Sequence, residues 1–400
     1  MFVSIAHGPR RAPRLWPAVL TGIALLAWAV AVRAAEWSAE PSVSVRGDYN
    51  SNLTLTFFPH DEVWGYWVSP AVTFAGSTET LRVSAKAAAD FVRYTGGEDV
   101  SFTNLYFPLS ARYRREQDTW SLEGGFTRDN TLLGELQQTG VRVSFTQRNL
   151  WTVNPAWTRA LTEKLSVQGG YQFADASYDN GFRLGLIDYQ VHGGNGAVLY
   201  DMTERDQVQF TGHYVTFSAP DARLRSVYYG ATAGMTHSFS ETTSGTLSGG
   251  PRQVSTSQFG LKDSELVWLF AANLRAQGER SSLQLDVGRD INPSGLGLLI
   301  QTDRAAVTVS SDVTETVTAS ITGQVLLASG IATQGLAFSF PDQRYVSATP
   351  KIAWRMTDWW TLTMSYTYAQ LDIDHPSRTA GANSTFVMLT YTMPKLAVSR

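Results

Sequence analysis

The side chains able to do chemistry are few and scattered. The chain has no cysteine, so neither a thiol nucleophile nor a disulfide framework is available. Its six histidines are spread out, with no pair at metal-ligand spacing. No Gly-rich phosphate loop follows a strand pattern. Asp286 and Asp290 fall on the polar parity of one segment, and a carboxylate pair there could do acid–base work. Carboxylates on a water-facing wall are far more often solvated wall. The expectation is therefore a protein that is not an enzyme, with no catalytic residue, no cofactor and no metal.

One biased set remains. Arg46, Arg82, Lys86, Arg112, Arg114, Arg142 and Arg148 fall on the parity that carries small polar residues, all early in the chain. A one-sided basic strip attracts anions, because rings or stripes of Arg and Lys select them. Asp90, Glu123 and Asp129 lie close enough to balance it.

The elements that must position these residues announce themselves by a repeat. An apolar residue, then Thr or Ser, then Glu or Asp recurs as Leu161-Thr162-Glu163, Met202-Thr203-Glu204, Phe239-Ser240-Glu241, Val313-Thr314-Glu315 and Met356-Thr357-Asp358. Weaker members sit at Ser77-Thr78-Glu79, Arg115-Glu116-Gln117-Asp118 and Gly278-Glu279-Arg280. A recurrence of this kind means one supersecondary unit used repeatedly. Strict alternation follows each phrase. After Glu315, Val317, Ala319, Ile321 and Val325 alternate with Thr318, Ser320, Thr322 and Gln324. After Asp358, Leu362, Met364, Tyr366 and Tyr368 alternate with Thr361, Thr363, Ser365 and Thr367. Period two means strands with two environments to satisfy.

Each phrase reads as a tight turn whose Ser, Thr, Asp or Glu side chains cap exposed N–H groups. The connections between phrases are longer and more polar, as at Tyr178-Asp179-Asn180-Gly181 and from Leu327 to Tyr345. The last of these reads as the longest loop and carries Phe338 and Phe340. It is either a plain surface loop or one that folds inward as a constriction. About eight short turns imply about eighteen strands, with sixteen possible. The strands are longer than those of soluble sheets and suit a tilted membrane crossing. Short turns at one end and longer loops at the other are the asymmetry of outer-membrane barrels. The expected fold is all-β: one transmembrane antiparallel up-and-down barrel over residues 35–400, starting near Pro41. Its last strand is expected from Thr385 to Met393, followed by a tail from Pro394 to Arg400. A soluble propeller has four short strands per repeat instead of two long ones.

Composition agrees. Charged residues are 17% and aromatics 12%, a low-charge, aromatic-rich balance that fits a wall of alternating apolar and polar residues. Arg10, Arg11 and Arg14, an apolar stretch from Leu15 to Val32, and Val32-Arg33-Ala34 are laid out as a cleavable signal peptide, residues 1–34. Without its four arginines the chain carries about −7 against its 35 acidic residues, so no nucleic-acid partner is expected.

Trp37-Ser38-Ala39-Glu40-Pro41-Ser42-Val43, then Asp48-Tyr49-Asn50-Ser51-Asn52-Leu53, then Val68-Ser69-Pro70 and the Leu-Thr-Glu turns form a further pattern. In these the chain resembles the β-barrel porins found with exopolysaccharide and PEP-CTERM (exosortase) systems of Gram-negative bacteria. It departs from them in having Asn50-Ser51-Asn52 where an Asp-Asn pair is usual, and in its non-aromatic last residue. The resemblance implies the cell outer membrane and a link to exopolysaccharide export or surface assembly. It supplies no catalytic residues. The partners it suggests are outer-membrane lipids and lipopolysaccharide, the barrel-assembly machinery, and polysaccharide with its export components. The function expected is a porin-like channel. The alternatives are a specific uptake porin for a polar or anionic solute, or a non-conducting scaffold barrel.

Overall fold

The computed structural model describes residues 36–97, 99–331, 340–374 and 377–399. The export signal expected over residues 1–34 lies outside them. The first strands are β1 (Glu36–Asn50), β2 (Val63–Ser77), β3 (Leu81–Thr95), β4 (Val100–Arg115), β5 (Asp118–Asn130) and β6 (Gln147–Ala160). Next come β7 (Leu165–Tyr178), β8 (Tyr189–Asp201), β9 (Asp206–Ala219), β10 (Leu224–Ser238), β11 (Thr243–Gln258) and β12 (Leu261–Gln277). The last are β13 (Ser281–Pro293), β14 (Leu299–Asp312), β15 (Val317–Gly330), β16 (Gln343–Arg355), β17 (Trp360–Ile373) and β18 (Arg378–Thr392). Each pairs antiparallel with the next, and β18 returns to β1 from Ser42↔Thr392 to Asn50↔Ser384. The sheet is therefore a closed eighteen-stranded barrel, with no edge left to solvent or lipid.

At one end of the barrel the eight connections are all short: 78–80, 116–117, 161–164, 202–205, 239–242, 278–280, 313–316 and 356–359. They coincide with the repeated phrase. Where the phrase carries a Thr, its hydroxyl caps the turn. Thr162 Oγ1 accepts from the N–H groups of Lys164 and Leu165 at 3.2 and 3.0 Å. Thr203, Thr314 and Thr357 accept from two N–H groups in the same way. Thr78 does so too. No described contact gives the acidic residues Glu163, Glu204, Glu241, Glu315 or Asp358 a capping role. The hydroxyl suffices, because its short side chain reaches the two amides that the turn leaves exposed.

The outward face is apolar through its middle. Phe74, Phe107, Leu247, Trp268 and Met364 all point away from the lumen and are exposed. Near the short turns, outward rings pair across strands, as Trp120–Trp157 with centroids 5.9 Å apart and Trp360–Tyr391 at 4.8 Å. Near the other end Trp64, Tyr66, Tyr214 and Tyr229 form a second exposed aromatic set. An apolar band between two aromatic girdles is a surface for hydrocarbon bounded by headgroups.

Four expectations change. The barrel begins at Glu36 instead of near Pro41, because Glu36–Ala39 already pairs with Ser77–Phe74 of β2. The last barrel strand starts earlier, at Arg378. The tail past Pro394 is not a bare extension, since β19 (Leu396–Ser399) pairs with Glu36–Ala39. The stretch from Leu327 to Tyr345 is also not all loop. Leu327–Gly330 ends β15 and Gln343–Tyr345 begins β16, because alternation continues at both ends. Phe338 lies outside the described residues. Phe340 packs against the apolar cluster described below. The longest described connection is instead 131–146, between β5 and β6.

Candidate functional site in the lumen

Segment 131–146 runs into the barrel. It contains a π-helical turn, Leu132–Leu136, and one helical turn, Gln137–Thr139, that ends at Gly140. In an eighteen-stranded wall, the strand nine places on lies directly opposite. The segment leaves from β5 and β6 and touches β14, β15 and β16, so it spans the whole lumen. Thr302 Oγ1 on β14 donates to the Thr139 carbonyl at 3.3 Å. Gln343 Oε1 on β16 accepts from the Arg142 N–H at 2.8 Å. Gly140 packs against Leu326 of β15. Its φ of +77° favours glycine, and a Cβ there would lie 2.9 Å from the Leu326 Cβ. Two independent constraints therefore require glycine at the contact with the far wall.

The near end is anchored by charge. Arg148 on β6 is 3% exposed. It donates to Asp129 of β5 through Nε at 3.1 Å and Nη2 at 2.9 Å, and through Nη1 to the Gly134 carbonyl at 2.7 Å. Glu135 Oε1 lies 4.0 Å from the same guanidinium. It also accepts from Tyr178 Oη of β7 and from the Gly295 N–H at 3.1 Å. One carboxyl thus ties the segment to β6, to β7 and to the β13–β14 connection. Burial pushes this carboxyl above its ordinary value, although Arg148 and the donors on it oppose that shift.

Apolar side chains fill the space around these ties. Val141, fully buried, joins Val191, Phe217, Val254, Ile300 and their neighbours from β7 to β15. Leu136 joins Leu55, Leu326, Tyr345 and Leu371 on the other side. A third cluster, Val63, Val92 and Tyr94, sits at the loop ends of β2 and β3. The loop end of the lumen is therefore packed like a protein core. The end near the short turns is open and polar.

The sequence-derived basic strip divides along this line. Register places Arg82 opposite Arg112, with Arg114 beyond them toward the short turns and Lys86 deeper in. All four point into the lumen on the parity of Asp90, Asn104 and Ser110. None has a carboxylate within ion-pair distance among the described residues. Lys86 shares a cavity of about 380 Å³ with Glu123 and Asn154, which offsets some of its charge. Arg46 also faces inward. It sits between the Trp67 and Phe386 rings, 4.7 and 4.2 Å from their centroids, with Asp48 3.7 Å away. Two members are not free wall residues. Arg148 is neutralised by Asp129. Arg142 is on the crossing segment and donates from Nε to the Thr54 carbonyl at 2.9 Å. Burial holds its guanidinium below the ordinary value.

The opposite wall carries Asp286 and Asp290 together with residues that the sequence did not single out. Beneath Gln138, a cavity of about 600 Å³ is lined by His213, Arg252, Asn273, Asp286, Asp290 and Arg304, among others. Asp286 and Asp290 do face the lumen. Asp286 accepts from Asn273 and from Gln284 Nε2, the solvated-wall role expected of it. Because β13 lies nine strands from β4, these carboxylates are across the lumen from Arg112 and Arg114. Only knowing the strand order could have shown that opposition.

No family model matches the chain, and no curated protein does. Among solved structures it is similar to OccAB3 of Acinetobacter baumannii, at 9% identity and a TM-score of 0.45, over 90% of this chain and 99% of that one. It is similar to OpdQ of Pseudomonas aeruginosa at 10% identity and 0.43, over 90% and 98%. It is likewise similar to OprD of Pseudomonas aeruginosa at 10% identity and 0.43, over 89% and 95%.

Proposed function

We propose that the protein is an outer-membrane channel for small polar solutes, anions in preference, with a bore set by segment 131–146. The outward apolar band with its two girdles supports the membrane location, and closure supports an outer-membrane type of barrel. A wall of eighteen strands is wide enough to hold water. The single observation that carries the reading is the crossing segment, seated on the wall opposite its origin. It narrows a lumen whose open end is lined by Arg82, Lys86, Arg112 and Arg114.

Single-channel recording in planar bilayers tests this. The expected result is small, anion-preferring steps from the folded protein and much larger ones once residues 132–143 are replaced by a short Gly-Ser linker. No current from either folded form would sink the channel reading. The three apolar clusters at the loop end favour a second reading, a scaffold barrel closed by its loops. It predicts current only after the segment is removed. The exopolysaccharide link rests on the resemblance in the first strands and turns. A polymer would need the seated segment displaced, so the small-solute reading is preferred.

A further inference from the structure

Outward-facing arginines near the loop end of the barrel share one habit. Arg93 meets Asp99 at 3.4 Å, Arg128 meets Asp179 at 2.6 Å, Arg289 meets Asp303 at 2.5 Å, and Arg344 meets Asp372 at 2.6 Å. These four pairs lie on the β3, β5, β13–β14 and β16–β17 sectors. An ion pair at this level lets a cation sit beside the aromatic girdle without an outside counter-ion.

The β10–β12 sector breaks the habit. Arg225 of β10 and Lys262 of β12 occupy one register row, Arg225↔Ser257↔Lys262, on the outward face. Both are exposed, and neither has a carboxylate within ion-pair distance among the described residues. The nearest acid in sequence, Asp263, takes the opposite parity, in register with the buried Thr256. The row continues as Ser218 and Gln190 on β9 and β8. The row below it adds Thr216, Ser255 and Ser264. Below that the surface turns aromatic and apolar, with Tyr214, Tyr229, Leu266 and Trp268 all exposed. A third cation, Arg223, stands above the row with its guanidinium 5.9 Å from the centroid of the exposed Phe259 ring.

From this we infer that the β8–β12 rim binds the phosphorylated headgroup of an outer-leaflet lipid. The argument is charge complementarity. Two cations and five hydroxyls face outward at headgroup level with no internal anion, directly above a band that fits acyl chains. Arg225 and Lys262 are two strand spacings apart, about 10 Å, so their side chains can close on one phosphate between them. Guanidinium and ammonium groups are the usual partners of phosphate, and hydroxyls complete the set. The inference rests on the outer-membrane reading but not on conductance, and its test involves no current.

The probe is lipid A. Full-length folded protein is placed in phosphatidylcholine nanodiscs that contain a few mole per cent of it, and retained lipid is counted by native mass spectrometry. The wild type should retain lipid A. Arg225→Ser with Lys262→Ser should bind roughly twentyfold more weakly, at about fivefold per cation near a membrane surface. The exchange Arg225→Lys with Lys262→Arg should restore most of the binding. Enzymatically dephosphorylated lipid A should bind the wild type no better than it binds the double variant. Equal retention by wild type and double variant would overturn the inference. So would equal retention of the phosphorylated and dephosphorylated lipid. A wild type that instead self-associates through this face, and becomes monomeric in the double variant, would also overturn it.

Discussion

The two ends of the barrel are built by different rules. At the short-turn end, five of the eight connections repeat one solution: a hydroxyl accepts from two amides and the chain reverses. The lumen beside it is open and carries the free Arg82, Arg112 and Arg114. At the loop end no two connections are alike. Segment 131–146 crosses the lumen, and its neighbours pack it into apolar clusters. One end is generic and polar, while the other is specific and core-like. In the proposed channel, the stability of the wall and the control of passage fall to different ends.

The largest effect should come from abolishing that difference. Replacing residues 132–143 with a short linker should raise single-channel conductance severalfold, because the spanning segment is gone while the wall and its turns remain. Unchanged conductance would place the constriction elsewhere. A smaller but still large effect is expected at the anchor. Asp129→Asn leaves the buried Arg148 with only the Glu135 carboxyl 4.0 Å away, and removing one partner of a buried ion pair typically costs about 3–5 kcal/mol. The barrel ladders do not depend on it, so the loss should appear as protease cleavage within 131–146 before any change in thermal unfolding. Simultaneous loss of the whole barrel would show that the two ends are coupled.

The pH dependence follows from Glu135. Its seated carboxyl has a raised pKa, so the seated segment binds a proton more readily than the released one. Stability of the seat is fully present at low pH and declines as pH rises from the ordinary carboxyl value of 4.5 toward the raised one. Arg148, Asp129, Tyr178 and Tyr189 face this group, and none of them loses a charge that would reverse the sign. Cleavage of the segment should increase with pH in the wild type and be flat in Glu135→Gln.

At the open end, Arg82→Glu with Arg112→Glu should shift the reversal potential toward cations by a few-fold in permeability ratio, with little change in conductance. A conductance collapse would mean that the mouth, not the segment, sets the bore. The smallest effect is expected at a turn. Thr357→Ala removes a hydroxyl that accepts from two amides, and should lower stability by about 1 kcal/mol without altering current.

The same contrast explains what could be read from the sequence. Strand count, the eight turns and the inward direction of Arg46, Arg82, Lys86, Arg112 and Arg114 all follow from period two and a local phrase. Such signals need only neighbouring residues. Arg142, on segment 131–146, falls in the sequence on the inward wall parity, because Val141, Val143 and Phe145 alternate with Arg142 and Ser144 just as a strand would. What makes the segment a crossing is Gly140 against Leu326 and Glu135 against Gly295. Those contacts join residues about 160 or more positions apart in the chain, and no local pattern encodes them.

The seam between β1 and β18 has a kinetic meaning. Ser44 and Thr390, whose hydroxyls meet at 2.8 Å, are 346 residues apart in the chain. Every other ladder among β1–β18 joins consecutive strands and can zip from its own turn, whereas this one has no turn to start it. Loop-closure entropy makes it the slowest contact to find. Until it forms, two bare edges face outward, each able to pair with another chain. The short pairing of Leu396–Ser399 with Glu36–Ala39 extends the seam at the short-turn end. It acts as a clasp, so that completion of the cylinder is an event distinct from the formation of its staves.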